Sequence, residues 1–381
     1  MINHSTVVTY LSDLLNIKPS LAVAFAIYFL VGFIFVNILA LIGGLGTYAE
    51  RKISADMQAR MGPNRVGPYG ILQFLADGLK MMMKEDIFPT MADKFLYNLA
   101  PLLCMVGVFA TVAVLPFSSG LALSHLNVGV VYLIGISSLI GLGVFLGGYA
   151  SNSKWSMLGG MRGASQIVSY EIPVSLSLIS IIILAGGLSF KTIVEAQTGS
   201  PLGWFVFHNP FAFSSFVIYF IGSLAEANRA PFDLPEAESE LVSGFHTEYS
   251  GMKFAFFALA EYVEVFVLSA VAAAVFLGGY KLPFGLEEWL GQRLHLPLLV
   301  DLFQVGVFFL KSLSLYYFVI VVRWTLPRLR VDQLMTICWK YLTPMAMVNI
   351  LGCALWIYFF GDQSLTDLVV HLLTPKSGGG H

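Results

Sequence analysis

Ala225–Gly251 reads AEANRAPFDLPEAESELVSGFHTEYSG and lies between two almost wholly apolar runs, Phe211–Leu224 and Phe254–Gly278. A charged segment framed by two runs of membrane-crossing composition is a loop between spans, so the chain around it reads as a polytopic membrane protein. The segment carries Glu226, Asp233, Glu236, Glu238, Glu240 and Glu248 against a single arginine, Arg229. Acids this close raise one another's proton affinity, which suits groups that hold or pass protons. Two readings stay open. The segment is a solvated loop, or it folds back on the protein and carries its charges inward. Phe232, Leu234, Leu241, Val242, Phe245 and Tyr249, interleaved with the acids, favour the second.

The whole chain agrees with the membrane reading. It has 381 residues, of which 57% are hydrophobic and 12% charged, and its mean hydropathy is +0.78. A net charge of −2 gives no nucleic-acid footprint. Cys104, Cys338 and Cys353 are far apart in or beside apolar runs, and no two histidines stand at helical ligand spacing. The sequence therefore offers no metal, haem or iron–sulfur framework, and any electrons must be carried by partners. The N-terminus lacks a basic region and a small-residue cleavage site, so the first apolar run is expected to be a retained helix.

Eight spans are expected, at roughly 21–48, 95–117, 128–150, 164–187, 209–226, 253–279, 302–323 and 340–360. The fold class is then an all-α polytopic membrane protein, one membrane domain over 1–381. Of the 21 lysines and arginines, only Lys18, Lys191, Lys281, Arg293 and Lys376 fall on the side opposite the acidic loop, with Lys311 inside span seven. The positive-inside rule places both termini outside and the acidic loop, 226–250, on the cytoplasmic side.

The first cytoplasmic loop opens ERKISADMQARMGPNRVGP, Glu50–Pro68, where Gly62, Pro63, Gly67 and Pro68 force a structured turn. A short amphipathic helix is expected over 68–84, with Pro68 in its first position. Its apolar face is Ile71, Leu72, Leu75, Leu79, Met82 and Met83, and its polar face Gln73, Asp77, Lys80 and Lys84. Too short and charged to cross, it belongs in the interface plane. It is either an inert anchor or one wall of an opening for an amphiphilic ligand, with methionines as an adaptable lining.

Four spans carry ionisable groups, which in a membrane are functional by default. Glu171 lies about 12 Å into span four, counted from Gly163 at ~1.5 Å per residue, and Pro173 follows it. Glu226 falls near the end of a short span five that starts at Asn209–Pro210. Glu261 and Glu264 share one side of span six, and Lys311 sits mid-membrane in span seven with either acid as its expected partner. Such a string fits an ion-coupled secondary transporter, or the membrane anchor of a redox complex that couples a lipophilic carrier to proton movement.

The motifs then narrow the choice. GILQFLADGLKMMMKE at Gly70–Glu85 and PFDLPEAESELVSG at Pro231–Gly244 resemble the two signatures of the complex I membrane subunit at the quinone junction, the family of the bacterial H subunit and mitochondrial subunit 1. SYE at 169–171, FHTEYS at 245–250, AEY at 260–262 and RLRVDQL at 328–334 resemble it too. The resemblance implies a subunit of NADH:quinone oxidoreductase in the bacterial inner membrane. It would build the membrane side of a quinone cavity, with quinone entering between span one, span six and the amphipathic helix. NADH, FMN and iron–sulfur clusters would belong to partner subunits, including the peripheral-arm subunit with the terminal cluster. Small membrane subunits and antiporter-like subunits would complete the assembly. It implies no catalytic or metal-binding residue here. Arg51, Arg60 and Phe245 match positions at the cavity. Glu171, Glu226, Arg229, Asp233, Glu236, Glu238, Glu240, Glu248, Glu261 and Lys311 match positions that link cavity to pump. Glu264 receives no role. The homologous membrane protein of energy-converting hydrogenases and formate hydrogenlyases is the alternative within this family.

Overall fold

A computed structural model of the protein describes residues 21–120, 122–124, 126–235, 238–283 and 297–361. The long helices, in chain order, are α1 (Leu21–Met57), α2 (Gln73–Met83), α3 (Lys94–Val112), α4 (Gly129–Ala150), α5 (Lys154–Ala185), α6 (Pro210–Glu226), α7 (Gly251–Phe276), α8 (Pro297–Thr325) and α9 (Val331–Phe360). Seven of them are long and apolar enough to cross a membrane. The eighth, α6, has 17 residues, the short end of the ~17–25 needed. The chain is thus an all-α, multi-pass membrane protein.

Helix starts follow local chemistry. Asp93 caps α3 by accepting from the amides of Phe95 and Leu96, at 3.0 and 3.3 Å. Asn209 caps α6 through Ala212 N, with Pro210 in the first turn, where its missing N–H costs nothing. α7 is the centre of the bundle. It packs on α1, α3 and α8, and every residue from Val263 to Phe276 is buried. α1 presents Phe29, Leu30 and Phe33 outward, as a lipid-facing helix does. α4 and α5 close tightly at their shared end. A Cβ on Gly148 would fall 2.5 Å from Ser156 O and 2.9 Å from Gly160 Cα, so only glycine permits this approach.

Several boundaries differ from hydropathy. α5 begins at Lys154 and α9 at Val331, more than two turns ahead of the expected starts at 164 and 340. Polar first turns are helical but invisible to a hydropathy window. α3 ends at Val112, ahead of Pro116, whose segment pairs in an isolated bridge with Ala122. Within α9, Ile337–Leu342 forms a wide π-turn. Pro344 has no N–H to close the regular ladder onto Lys340, and the backbone widens just before it.

The amphipathic helix is shorter than expected. Pro68–Gly70 forms a separate 3-10 turn, because Tyr69 and Gly70 take positive φ values of 55° and 81°. The helix proper runs Gln73–Met83. Its expected apolar face looks away from the protein, as a helix in the interface plane presents it. Phe74, Asp77 and Met81 are half-buried against the protein, while Leu72, Leu75, Leu79 and Met83 are exposed.

Candidate functional site

A cavity of about 690 Å³ opens between α1, α2 and α7. α1 contributes Ala40, Gly44, Thr47 and Arg51; α2 contributes Phe74, Leu75, Leu79, Met81 and Met82; α7 contributes Met252 and most of Phe254 through Tyr262. Gly44 leaves room for the Phe74 ring, which a Cβ would meet at 2.8 Å. Leu79 and Met82, 61% and 67% exposed, stand at the mouth. The walls are apolar near the mouth and polar at the far end.

That polar end is built around Glu50, a buried acid of α1. Its carboxylate pairs with Arg323 at 2.5 Å and Arg229 at 3.4 Å. The Arg229 guanidinium lies 4.2 Å from the centre of the Tyr262 ring. Arg229 is 6% exposed. Burial alone works against its charge, but Tyr262, Glu50 and Glu261 outweigh burial and hold it protonated above its ordinary range. Its Nε and Nη2 groups are buried without a hydrogen-bond partner. Arg51, Arg229 and Arg323 all line this end, and a cationic end to an apolar cavity suits the carbonyl or hydroxyl oxygen of an amphiphile. On the α2 side, Arg51 pairs with Asp77 at 2.5 Å.

The acidic segment is a folded flap. Phe232, Leu234, Leu241, Phe245 and Tyr249 are buried as expected, whereas Val242, at φ 65°, points outward and is 63% exposed. Gln166 of α5 pins it by donating to the carbonyls of Ala225 and Phe232, both at 2.7 Å. Gly159 permits its Gly244–His246 turn to lie on α5, since a Cβ there would meet Phe245 N at 2.7 Å. Tyr249 stacks on Tyr97 at 4.1 Å, and the Tyr97 hydroxyl donates to the Glu248 carbonyl at 2.7 Å. The described acids do not turn inward as a group. Glu226 is buried, and Asp233, its side chain 13% exposed, pairs with Arg328 at 3.0 Å, whereas the exposed Glu240 pairs with Arg162 at 2.6 Å and Glu248 is half-buried. Arg162 of α5 holds Glu240 outward. Glu236 and the Glu238 side chain lie outside the described residues.

The anticipated cavity residues separate. Arg51 lines the cavity. Phe245 is 1% exposed and lies behind the wall, edge-on to Phe257 at 5.2 Å. Arg60 is exposed beyond the end of α1 and donates to Gln58. Of the coupling set, Glu261 and Arg229 line the cavity. Glu226 is 3% exposed, and its charge lies within reach of that on half-buried Glu171. Lys311 pairs with neither Glu261 nor Glu264. Its ammonium donates to the carbonyls of Leu277, Gly279 and Lys281 at 2.8, 2.9 and 3.2 Å, and lies 4.5 Å from the Trp204 ring. It caps the exposed carbonyls at the end of α7, the role a cation takes at a helix C-terminus.

Sequence reading missed Glu50, Arg323 and Tyr262 as parts of the site. Glu50 and Tyr262 stood within the motifs ERK and AEY, but only their neighbours Arg51 and Glu261 were singled out. Among the described residues no group of histidines, cysteines and acids is arranged to hold a metal.

Comparison with known proteins agrees on one family. Residues 29–354 match the family described as NADH dehydrogenase. The chain is 49% identical over 314 residues to the H subunit of the NADH-quinone oxidoreductase of Chlorobaculum tepidum, covering 82% of this chain and 87% of that protein. It is 46% identical over 339 residues to the same protein of Salinibacter ruber, covering 87% and 96%. It is 42% identical over 365 residues to that of Bacteroides thetaiotaomicron, covering 94% and 99%.

Proposed function

The chain belongs to the NADH dehydrogenase family as a membrane subunit of the complex I type, and from that premise we propose that its cavity admits a quinone from the bilayer and that its buried acids couple quinone reduction to proton movement. The observation that carries the reading is the cavity itself, with apolar walls and a mouth of Leu79 and Met82 at one end and Arg51, Arg229 and Arg323 lining the other. The isoprenoid tail follows the walls, and the polar ring finds hydrogen bonds only beyond them. The relatives' names, NADH-quinone oxidoreductase, favour this over a hydrogenase component or a stand-alone transporter.

Reduction of a quinone takes up two electrons and two protons. The flavin and iron–sulfur centres that deliver the electrons sit in partner subunits. The residues of this chain guide, orient and manage charge. Arg229 holds a fixed positive charge near the ring's path, and Glu50 fixes its position, itself held by Arg323. As the ring gains electrons, negative charge develops in a region of low dielectric and draws protons toward it. Glu261 answers first because it lines the cavity, and Glu226 and Glu171 extend the response into the membrane. We place the acidic flap on the cytoplasmic side and both termini outside, following the charge bias of the loops. Lys311 is not assigned to this route, since its ammonium is engaged by backbone carbonyls.

The test is Met82→Trp in the assembled complex. A bulky ring at the mouth should raise KM for long-tailed quinones several-fold while leaving kcat near its starting value, because it obstructs access rather than chemistry. A photoreactive quinone should label α1, α2 and α7, and less so in the variant. Unchanged KM together with labelling elsewhere would refute the cavity as the quinone route.

A further inference from the structure

Glu264 sits on α7 among Val263, Val265 and Phe266 and is 3% exposed. One turn earlier, Glu261 faces the large cavity. Glu264 instead faces a second, small space of about 10 Å³, lined also by Glu226, Thr111, Ser137, Val108 and Val267. That space holds about one water. Glu226 is likewise 3% exposed, and its Oε2 is buried there with no hydrogen-bond partner. A water placed there would donate to that oxygen, and the Thr111 and Ser137 hydroxyls, which themselves donate to the Val108 and Ile134 carbonyls at 2.6 and 3.0 Å, offer it further acceptors.

The surroundings are mixed in charge. Glu264 is influenced by Glu226 and by Arg229; Cys104 on α3 lies near both Glu264 and Glu261; Glu226 is influenced by Glu171 on α5. Two carboxylates facing one water-sized space in a low dielectric carry one negative charge far more cheaply than two. Such a pair holds a proton between its members.

We propose that Glu264 and Glu226 form a water-bridged, proton-sharing carboxyl pair, which makes Glu264 the station between Glu261 at the large cavity and Glu226 in the membrane. The idea rests on the proposed coupling function. In each transfer the protonated carboxyl gives its proton to the bridging water as that water releases one to the facing carboxylate. One O–H bond breaks and one forms at each water contact. The water is regenerated, and the pair keeps its single negative charge. Glu261 reloads Glu264 from the cavity side, and Glu171 draws from Glu226 on the other.

The experiment compares Glu264→Gln, Glu264→Asp and Glu226→Gln in the intact complex in proteoliposomes, reading quinone reduction, proton translocation and their pH profiles. Glutamine keeps the volume and polarity of Glu264 but cannot release a proton. Proton translocation should fall at least ~10-fold, the scale of losing a positioned proton carrier, and Glu264→Asp should recover part of it with a displaced pH profile. If Glu264→Gln fails to assemble, the aspartate variant decides: a displaced profile supports the pair and an unaltered one overturns it. Glu264→Gln pumping at the wild-type rate with an unaltered profile overturns the pair. If Glu226→Gln then fails to pump, coupling through Glu226 stands without Glu264. If Glu226→Gln also pumps normally, the coupling function itself falls.

Discussion

Glu50→Ala removes the one carboxylate that two arginines share at the polar end of the cavity. Arg229 has 7% of its side chain exposed in that pair, and Arg323 has 27%. Losing one member of a buried ion pair costs ~3–5 kcal/mol, because the other charge is left without compensation. Arg323, more than a quarter exposed, can turn toward water. Arg229 cannot, and it keeps the attraction of Glu261 and its contact with the Tyr262 ring, the latter worth ~0.5–2 kcal/mol. The net loss is then about 3 kcal/mol. Cys104, Cys338 and Cys353 are at most 2% exposed, so a thiol-reactive dye in detergent micelles reports unfolding directly. The midpoint should fall by roughly 4 °C, since ~2.1 cal/mol/K per residue over a chain of this length makes each kcal/mol worth little more than a degree. The paired variant Glu50→Gln/Arg229→Gln should be less destabilised than the sum of its two single variants, since it leaves no orphan charge between them. A fall below about 2 °C for Glu50→Ala, or strict additivity in the pair, would refute the cluster as a buried electrostatic unit.

Further tests follow from other contacts. Lys311→Met uncovers three carbonyls at the end of α7 and removes a ring contact; it should cost about 2–4 kcal/mol in the same dye assay, with no change in the pH profile of coupled activity. Gly148→Ala forces a methyl against Ser156 O and Gly160 Cα, backbone atoms that cannot retreat. It should cost about 2–3 kcal/mol and lower membrane-integrated yield, whereas Gly78→Ala, with nothing within 4 Å of its Cβ, should be neutral or slightly stabilising. Met82→Cys, at an exposed mouth position, should react with a bulky maleimide and lose quinone reductase activity, and added quinone should slow that reaction.

Much of the bundle was legible because a crossing helix must be apolar over its length, and Asn209–Pro210 even marked the start of the shortest one. The polar first turns of α5 and α9 were not legible, since hydropathy registers only the part of a helix inside the hydrocarbon. The site was legible in pieces. Glu261 announced itself as a charge within an apolar run, whereas Arg51 and Arg229 gained their roles only through the family resemblance. The Glu50–Arg323 pair joins residues on the first and seventh spans, and no local pattern encodes such a contact. Matching opposite charges misled for Lys311, because its partners are backbone carbonyls, which every residue carries. The same habit sent all the flap's acids inward, when Arg162 on a neighbouring helix holds Glu240 at the surface. Glu264 shared a helix face with Glu261 on paper, yet about 100° per residue over three residues leaves them ~60° apart, enough to meet different cavities.

α1 is 37 residues long, about 55 Å at ~1.5 Å per residue, against a hydrocarbon layer of about 30 Å. The cavity follows this helix from Ala40 to Arg51, a climb of roughly 16 Å. An amphiphile whose ring makes that climb draws its tail from lipid into a protein chute of similar oiliness. The tail exchanges one hydrocarbon environment for another and gains almost no free energy by moving. Tail length therefore sets how far the ring can reach while its end stays dissolved in lipid. The bilayer acts as a reservoir at fixed chemical potential, and the concentration that governs filling is the one in lipid, not the one in water.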